Sequence, residues 1–442
     1  MPQEPIPASS ADLADVQEAS PQPIDPATAR RVARAGLLGT ILEYYDVSLY
    51  GLLAVVLAPQ FFPADNPAVS TITALAVFAT AYLMRPIGGI VFGRFGDRYG
   101  RRTTLVATIM LMCLFSAMIG LLPTYAAIGI AAPILMVLCR LGQGFAAGGE
   151  AMGAATYVLE SVPREKRGRY TAMIPMGGSL GYAVAALVVG AVTALVAGDA
   201  LADWAWRIPF LLSLPLGLLC LWMRLRLEES VEFTELDSSD SAEKAPLWES
   251  LKSAPLSMLR VAAYTLSLTT VGHIVMVYVS VLLIQQLGYE KETVYWLTAV
   301  VIGIGAISAP LFGAWSDKVG RRPLMIAAPV ATILLTVPLF LVLTTTTNLI
   351  LAGLVFLALM VLCQAYSPGY TVFVESFPTR IRYTASAFGY NIGIMLSGFA
   401  PAMSAELVDS TGSLVSPAWL AVGAAVLGLV AALTLRERRS IS

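Results

Sequence analysis

Long apolar runs alternate with short polar punctuations from about residue 36 to residue 435. A bilayer core of about 30 Å takes roughly 20 apolar residues per helix. On that measure the pattern predicts twelve spans, near 36–58, 70–93, 103–122, 128–157, 169–197, 207–227, 257–285, 293–315, 323–342, 347–373, 384–407 and 415–435. The runs lack the two-residue alternation that a membrane barrel needs, so strands are excluded. The expected fold is an all-α membrane protein of two six-helix bundles. The pattern changes sharply between residues 228 and 252, where Glu228, Glu229, Glu232, Glu235, Asp237, Asp240, Glu243 and Glu249 are set against only Lys244 and Lys252. The domain plan is therefore a disordered tail over 1–35, a bundle over 36–227, an acidic hydrated linker over 228–256, a second bundle over 257–435 and a short tail over 436–442.

Composition narrows the functional classes. Of 442 residues, 57% are hydrophobic and 13% charged, against about 25% charged in soluble proteins, which leaves too few polar groups to cover water-facing domains. A net charge of -1 argues against a nucleic-acid partner. Cys113, Cys139, Cys220 and Cys363 sit in apolar runs without paired spacing and read as small hydrophobes, not as disulfide or zinc ligands. No metal or cofactor is expected, and with no nucleophile–base pair in view, neither is an enzyme. Of the 28 lysines and arginines, only Lys291 falls in a loop on one side, while Arg85, Arg140 and Arg207 lie within or at the edge of spans. The rest gather on the other side, which the positive-inside rule makes cytoplasmic, together with both termini and the linker.

The chain also repeats itself. Gly96-Asp97-Arg98-Tyr99-Gly100-Arg101-Arg102, after the second span, recurs as Ser316-Asp317-Lys318-Val319-Gly320-Arg321-Arg322 after the eighth. Glu160-Ser161-Val162-Pro163, after the fourth, recurs as Glu375-Ser376-Phe377-Pro378 after the tenth. Two similar halves in parallel orientation predict a cavity between them, open alternately to either side. Small residues at four-residue spacing, such as Gly89/Gly93, Gly144/Gly148 and Gly389/Gly393, allow close helix approach.

Charges inside spans cost about 2.5–3.5 kcal/mol each at the bilayer centre, so they mark a polar interior. Counting ~1.5 Å per residue from Arg34, Glu43 lies ~13 Å and Asp46 ~18 Å into a core whose midplane is at ~15 Å. Their i,i+3 spacing puts them on one face with Tyr50. Two neighbouring carboxylates in low dielectric do not both stay ionised easily, which makes the pair a candidate proton carrier. The plainer alternative is a pair of ion-paired braces. Arg85 lies at the depth of Asp46 and either anchors a substrate carboxylate bidentately or neutralises Glu43 or Asp46. Pro86 beside it cannot donate to the Tyr82 carbonyl, which leaves an acceptor free. In the fourth span Gln143 and Glu150 share a face with Arg140 nearby, a stripe that either relays protons or ties this span to the first.

His273, the only histidine, lies in the seventh span and is either a substrate- or proton-binding ring or a hydrogen-bonded packing residue. Tyr278, Gln364, Tyr390 and Asn391 are expected to line the cavity in the second half, which carries no other deep charge. Trp204, Trp206 and Arg207 read as an interfacial anchor. The repeated loop sets orientation, and its glycines and Asp97 also suit a tight turn whose acid caps a neighbouring helix N-terminus.

These residues resemble the major facilitator superfamily, and within it the metabolite:proton symporter family, which includes proline/glycine betaine, α-ketoglutarate, shikimate and citrate permeases. The resemblance covers about residues 36 to 435. It is carried by the two repeated loops, Glu43-Tyr44-Tyr45-Asp46 with Tyr50-Gly51, Leu83-Met84-Arg85-Pro86-Ile87-Gly88-Gly89, and Arg140 with Gln143-Gly144 and Gly148-Gly149-Glu150. Trp206-Arg207-Ile208-Pro209-Phe210 and Glu375 with Phe377-Pro378 and Ile381-Arg382-Tyr383 add to it. It implies inward symport of a small carboxylate-bearing solute with protons, by alternating access across the cell membrane. It also implies that Glu43 or Asp46 takes part in coupling, that Arg85 lies in the cavity, and that Asp97 and Asp317 hold the halves in the outward-open state.

Residue patterns and resemblance together give one set of expectations. Glu43, Asp46 and Glu150 are candidates for proton coupling, and Arg85, Tyr50, Gln143, His273, Tyr278 and Asn391 for solute binding. Asp97, Arg101, Asp317, Arg321, Arg140 and Arg382 are candidates for gating. The partners are a small solute, protons and the lipid bilayer, with a monomer as the working unit. The second half is most similar to the osmolyte permeases, so proline or glycine betaine leads. A di- or tricarboxylate or aromatic acid is the alternative, and a proton-driven exporter a further one.

Overall fold

The computed structural model describes residues 26–99, 101–196, 200–225, 254–377 and 382–435; the expected linker over 228–256, apart from its last three residues, and the chain before 26 and after 435 lie outside the described residues. Among the described residues every regular element is helical, and each predicted span falls on a helix. Helix α1 comprises Pro26–Leu52 and, past a 59° bend, Ala54–Phe61. Then follow α2 (Pro67–Phe92), α3 (Arg101–Leu121), α4 (Ala131–Glu160), α5 (Arg164–Leu195) and α6 (Arg207–Leu211 with Ser213–Leu225). The second half supplies α7 (Pro255–Gln286), α8 (Lys291–Val319), α9 (Arg321–Thr345), α10 (Leu349–Glu375), α11 (Thr384–Thr411) and α12 (Ser416–Thr434). Helix α1 starts at Pro26, ahead of the expected tail boundary, because proline's fixed φ and missing N–H suit a first helical turn.

The ends follow from local chemistry. Asn66 caps α2 by accepting from the N–H of Ala68, and Asn348 caps α10 by accepting from Ile350 and Leu351. Gly320, in the second copy of the repeated loop, turns the chain between α8 and α9 at φ 94°, a conformation that a side chain resists.

Two helices of the first half break beside the buried charges. Helix α2 is interrupted at Met84, because Pro86 has no N–H for the Tyr82 carbonyl and that carbonyl instead takes the N–H of Met84. The acceptor expected to be free is thus used locally. Helix α4 is interrupted at Gly148–Gly149. The two broken helices cross at backbone contact: a Cβ on Gly144 would collide with the carbonyl of Ala81, and one on Gly148 with that of Arg85. Gly144→Leu is expected to lower the unfolding midpoint of the purified protein by an overpacking cost of at least ~1–3 kcal/mol, since the obstacle is backbone that cannot rotate away. An unchanged midpoint would mean that the crossing is looser than described.

The halves meet on both sides of a central cavity. At the end carrying the basic loops, the Asp317 carboxylate of α8 accepts from the N–H groups of Gly168 (2.8 Å) and Arg169 (2.9 Å) of α5, and from Arg321 (2.5 Å). There Gly168 and Gly313 face one another so closely that neither has room for a Cβ. At the other end Tyr295 of α8 donates to the Leu52 carbonyl (3.2 Å), and Gln285 of α7 to Thr71 of α2 (2.8 Å).

Candidate functional site

Five charged side chains are buried among the described residues: Glu43, Asp46, Arg85, Arg140 and Glu150, all in the first half. Four of them, all but Glu150, form two separate arrangements. In the first, Arg85, set at the break in α2, donates to Glu43 Oε1 at 2.9 Å, with both side chains essentially inaccessible. The rings of Tyr82 and Tyr44 lie 5.1 and 5.8 Å from the guanidinium carbon. The Tyr44 hydroxyl meets that of Tyr390 on α11 at 3.1 Å, and Tyr390 meets Tyr370 on α10 at 3.2 Å. A chain of phenols therefore joins the halves beside the ion pair.

In the second arrangement Asp46 turns away from Glu43. It takes a hydrogen bond from Ser213 of α6, stands 3.8 Å from Cys113 Sγ of α3, and has Ser116 close by. Gln143 of α4 donates to Ser116 (2.7 Å), and Arg140 donates to Gln143 Oε1 (2.9 Å) and to the Phe78 carbonyl (2.9 Å). The Arg140 guanidinium lies over the rings of Tyr50 (4.7 Å) and Phe78 (5.2 Å). Neither Asp46 nor Arg140 has an ion-pair partner among the described residues. The i,i+3 spacing leaves the two carboxylates about 60° apart around the helix. That is enough for one to face α2 and the other α3 and α6, so the shared face expected from spacing resolves into two pockets.

The cavity itself, of ≈ 60 Å³, lies between the halves against α1, α5, α7 and α10, with Tyr44, Ser179, Tyr182, His273, Gln364 and Tyr370 among its walls. His273 links the halves. Its Nδ1 contacts the Ser397 carbonyl (2.9 Å) and its Nε2 the Tyr82 hydroxyl (3.1 Å). A carbonyl only accepts, so Nδ1 carries a proton, and in the neutral ring Nε2 accepts from Tyr82.

The other expected residues fall as follows. Tyr50 and Gln143 stand with Arg140, inside the first bundle and off the cavity wall. Tyr278 is buried in a widened turn of α7, also off the wall. Asn391 of α11 donates to the Gly148 carbonyl (2.8 Å), filling the break in α4 from across the interface. Glu150 opens the second segment of α4 and is buried. Asp317 and Arg321 sit at the seam between halves, whereas the side chains of Asp97, Arg101 and Arg382 lie outside the described residues. Trp204 is exposed, but Trp206 is fully buried against Phe61 and Phe210. Arg207 donates to the Gly120 (3.2 Å) and Leu122 (2.7 Å) carbonyls, so it caps the end of α3 more than it anchors the protein in lipid. Sequence reasoning passed over Tyr82, Tyr182, Tyr370, Ser116, Ser179 and Ser213. Uncharged tyrosines and serines inside apolar runs carry no signal until their neighbours are known.

The sequence pattern of the Major Facilitator Superfamily matches residues 36–398 and 261–441. The proline/betaine transporter of Salmonella typhimurium is 35% identical over 425 residues, covering 94% of this chain and 85% of that protein. The shikimate transporter of Escherichia coli is 34% identical over 388 residues, covering 86% and 88%. Among solved structures, the xylose transporter XylE from E. coli in a partially occluded inward open conformation aligns with a TM-score of 0.72 at 19% identity, over 92% of this chain and 97% of that one. At that identity the structural likeness speaks for the fold alone, and the closer sequence relatives speak for transport. This chain is a multi-pass inner-membrane secondary transporter of a small molecule and not an enzyme, and it belongs to the major facilitator superfamily, among its metabolite permeases.

Proposed function

We propose that the protein imports a small zwitterion, proline or glycine betaine in first place, together with protons. The observation that carries the coupling is the unequal treatment of the two mid-span carboxylates. Glu43 is matched by a guanidinium, whereas Asp46 is met by Ser213, Ser116 and Cys113, all neutral. A carboxylate held only by neutral groups gains and loses a proton without breaking an ion pair. Arg140, whose hydrogen bonds reach Ser116 beside it through Gln143, supports the charged form. Asp46 is therefore the proton site of this proposal, and Glu43–Arg85 the brace beside the cavity.

The zwitterion follows from the cavity wall, which carries no charged side chain. A di- or tricarboxylate would need uncommitted cations there, and Arg85 is engaged by Glu43. Relatives named for proline, betaine and ectoine support the same class. In this scheme the basic end faces the cytoplasm, and the bundles over 36–227 and 257–435 rock about the cavity. The ties of Asp317 and Asn391 open when the site faces inward.

A zwitterion moving with one proton carries a net positive charge inward, driven by ~2.3 kcal/mol per 100 mV, or roughly 50-fold accumulation. Adding proline or glycine betaine to proteoliposomes is expected to alkalinise the outside and to drive electrogenic uptake. Uptake without proton movement would refute the coupling, and uptake of a dicarboxylate in place of both zwitterions would refute the substrate class.

A further inference from the structure

The geometry points to Tyr182 as the residue that binds the carboxylate end of the transported solute, an inference that rests on the central cavity being the solute site. Each hydroxyl, amide and imidazole on the cavity wall has a hydrogen-bond partner within the protein, with one exception. Thr40, Thr269 and Ser367 donate to the carbonyls of Gly36, Thr265 and Ala309. Gln364 donates to Ser179, and His273 bridges Ser397 and Tyr82. Tyr44 and Tyr370 both meet Tyr390.

Tyr182, on α5, is 2% exposed and lines the cavity, yet its hydroxyl makes no hydrogen bond of ordinary geometry, and the Tyr82 hydroxyl beside it is already engaged with His273 Nε2. Buried hydroxyls in folded proteins are nearly always paired, so an orphan on a cavity wall marks a group whose partner is a ligand. A phenol supplies one donor, and a carboxylate is the solute group that only accepts.

Ser179 sits three residues earlier on α5, on the same face, and accepts from Gln364 at 2.6 Å, so it keeps its own proton to donate. Tyr182 and Ser179 thus form a two-donor edge suited to two carboxylate oxygens. Arg85, the obvious alternative, is absent from the wall, bonded to Glu43 and flanked by the Tyr44 and Tyr82 rings. With no acid on the wall either, the cationic end of the solute meets the aromatic rings and hydroxyls that remain.

The test compares thermal unfolding of the purified full-length wild type and Tyr182→Phe with glycine betaine, proline, acetate and choline, the last being the carboxylate-free counterpart of glycine betaine. The wild type is expected to be stabilised by the carboxylate-bearing solutes and not by choline. Tyr182→Phe is expected to need ~10- to 100-fold more of the same solute for an equal shift. Without solute the variant is expected to melt at or above the wild-type temperature, because the hydroxyl it removes is unpartnered. An unchanged solute requirement, or a lower melting temperature without solute, would overturn the assignment of Tyr182 while leaving the transport proposal standing. Failure of every carboxylate-bearing solute to stabilise the wild type would overturn both.

Discussion

Proteoliposomes carrying Asp46→Asn are expected to lose uphill accumulation of proline or glycine betaine, from roughly 50-fold at 100 mV to about equal concentrations inside and out, while retaining counterflow. The asparagine has the shape of a protonated aspartate. Its carbonyl oxygen still accepts from Ser213, and its amide faces the Cys113 and Ser116 side, so the pocket stays filled and satisfied. What disappears is the ability to release a proton, and with it the link between solute movement and the membrane potential. Counterflow needs no net proton movement and reports whether the cavity still opens and closes. Preserved accumulation in this variant would remove Asp46 from the mechanism and transfer the coupling to Glu43 or Glu150. Glu43→Gln provides the contrast: it disturbs the Arg85 ion pair, so both accumulation and counterflow are expected to fall.

Arg85→Leu is expected to lower the stability of the protein by ~3–5 kcal/mol, because it leaves the Glu43 charge inside the membrane without its guanidinium. Transport should be lost as well, since the ion pair sits against Tyr44 and Tyr82, the latter holding His273 at the interface of the halves. Combining Arg85→Leu with Glu43→Gln removes both charges and is expected to restore most of the unfolding midpoint without restoring uptake. The coupling energy from this double-mutant cycle measures the pair directly. Additive effects on the midpoint would show that the 2.9 Å contact contributes little to stability.

The extent to which the site was legible differs from residue to residue. Arg85 was visible as a charge at the depth of Asp46, with Glu43 about one turn away, and its pairing with Glu43 was one of the alternatives left open. For Asp46, depth was legible but direction was not. A turn of about 60° decides between two neighbouring helices, and nothing in the spacing says which helix stands there. Asn391 illustrates the same limit, since its position on α11 suited a cavity wall. Its partner is the Gly148 carbonyl, and that carbonyl is reachable because α4 breaks at a glycine pair. Trp206 and Arg207 looked like lipid-facing anchors, and only the position of Phe61 and the exposed carbonyls at the end of α3 turned them inward.

By itself, then, the sequence determined which apolar stretches become helices, that the chain is duplicated, and which half holds the charge buried among the described residues. These are one-dimensional consequences of a solvent that tolerates neither unpaired backbone groups nor stray charges. The tertiary structure decided the pairings: Glu43 with Arg85, Asp46 with three neutral side chains, and Tyr182 with none. Hydrogen bonds and ion pairs act over about 3 Å, so they depend on which helices adjoin and how each is rotated, and in a chain of similar apolar helices that information exists only once they are packed.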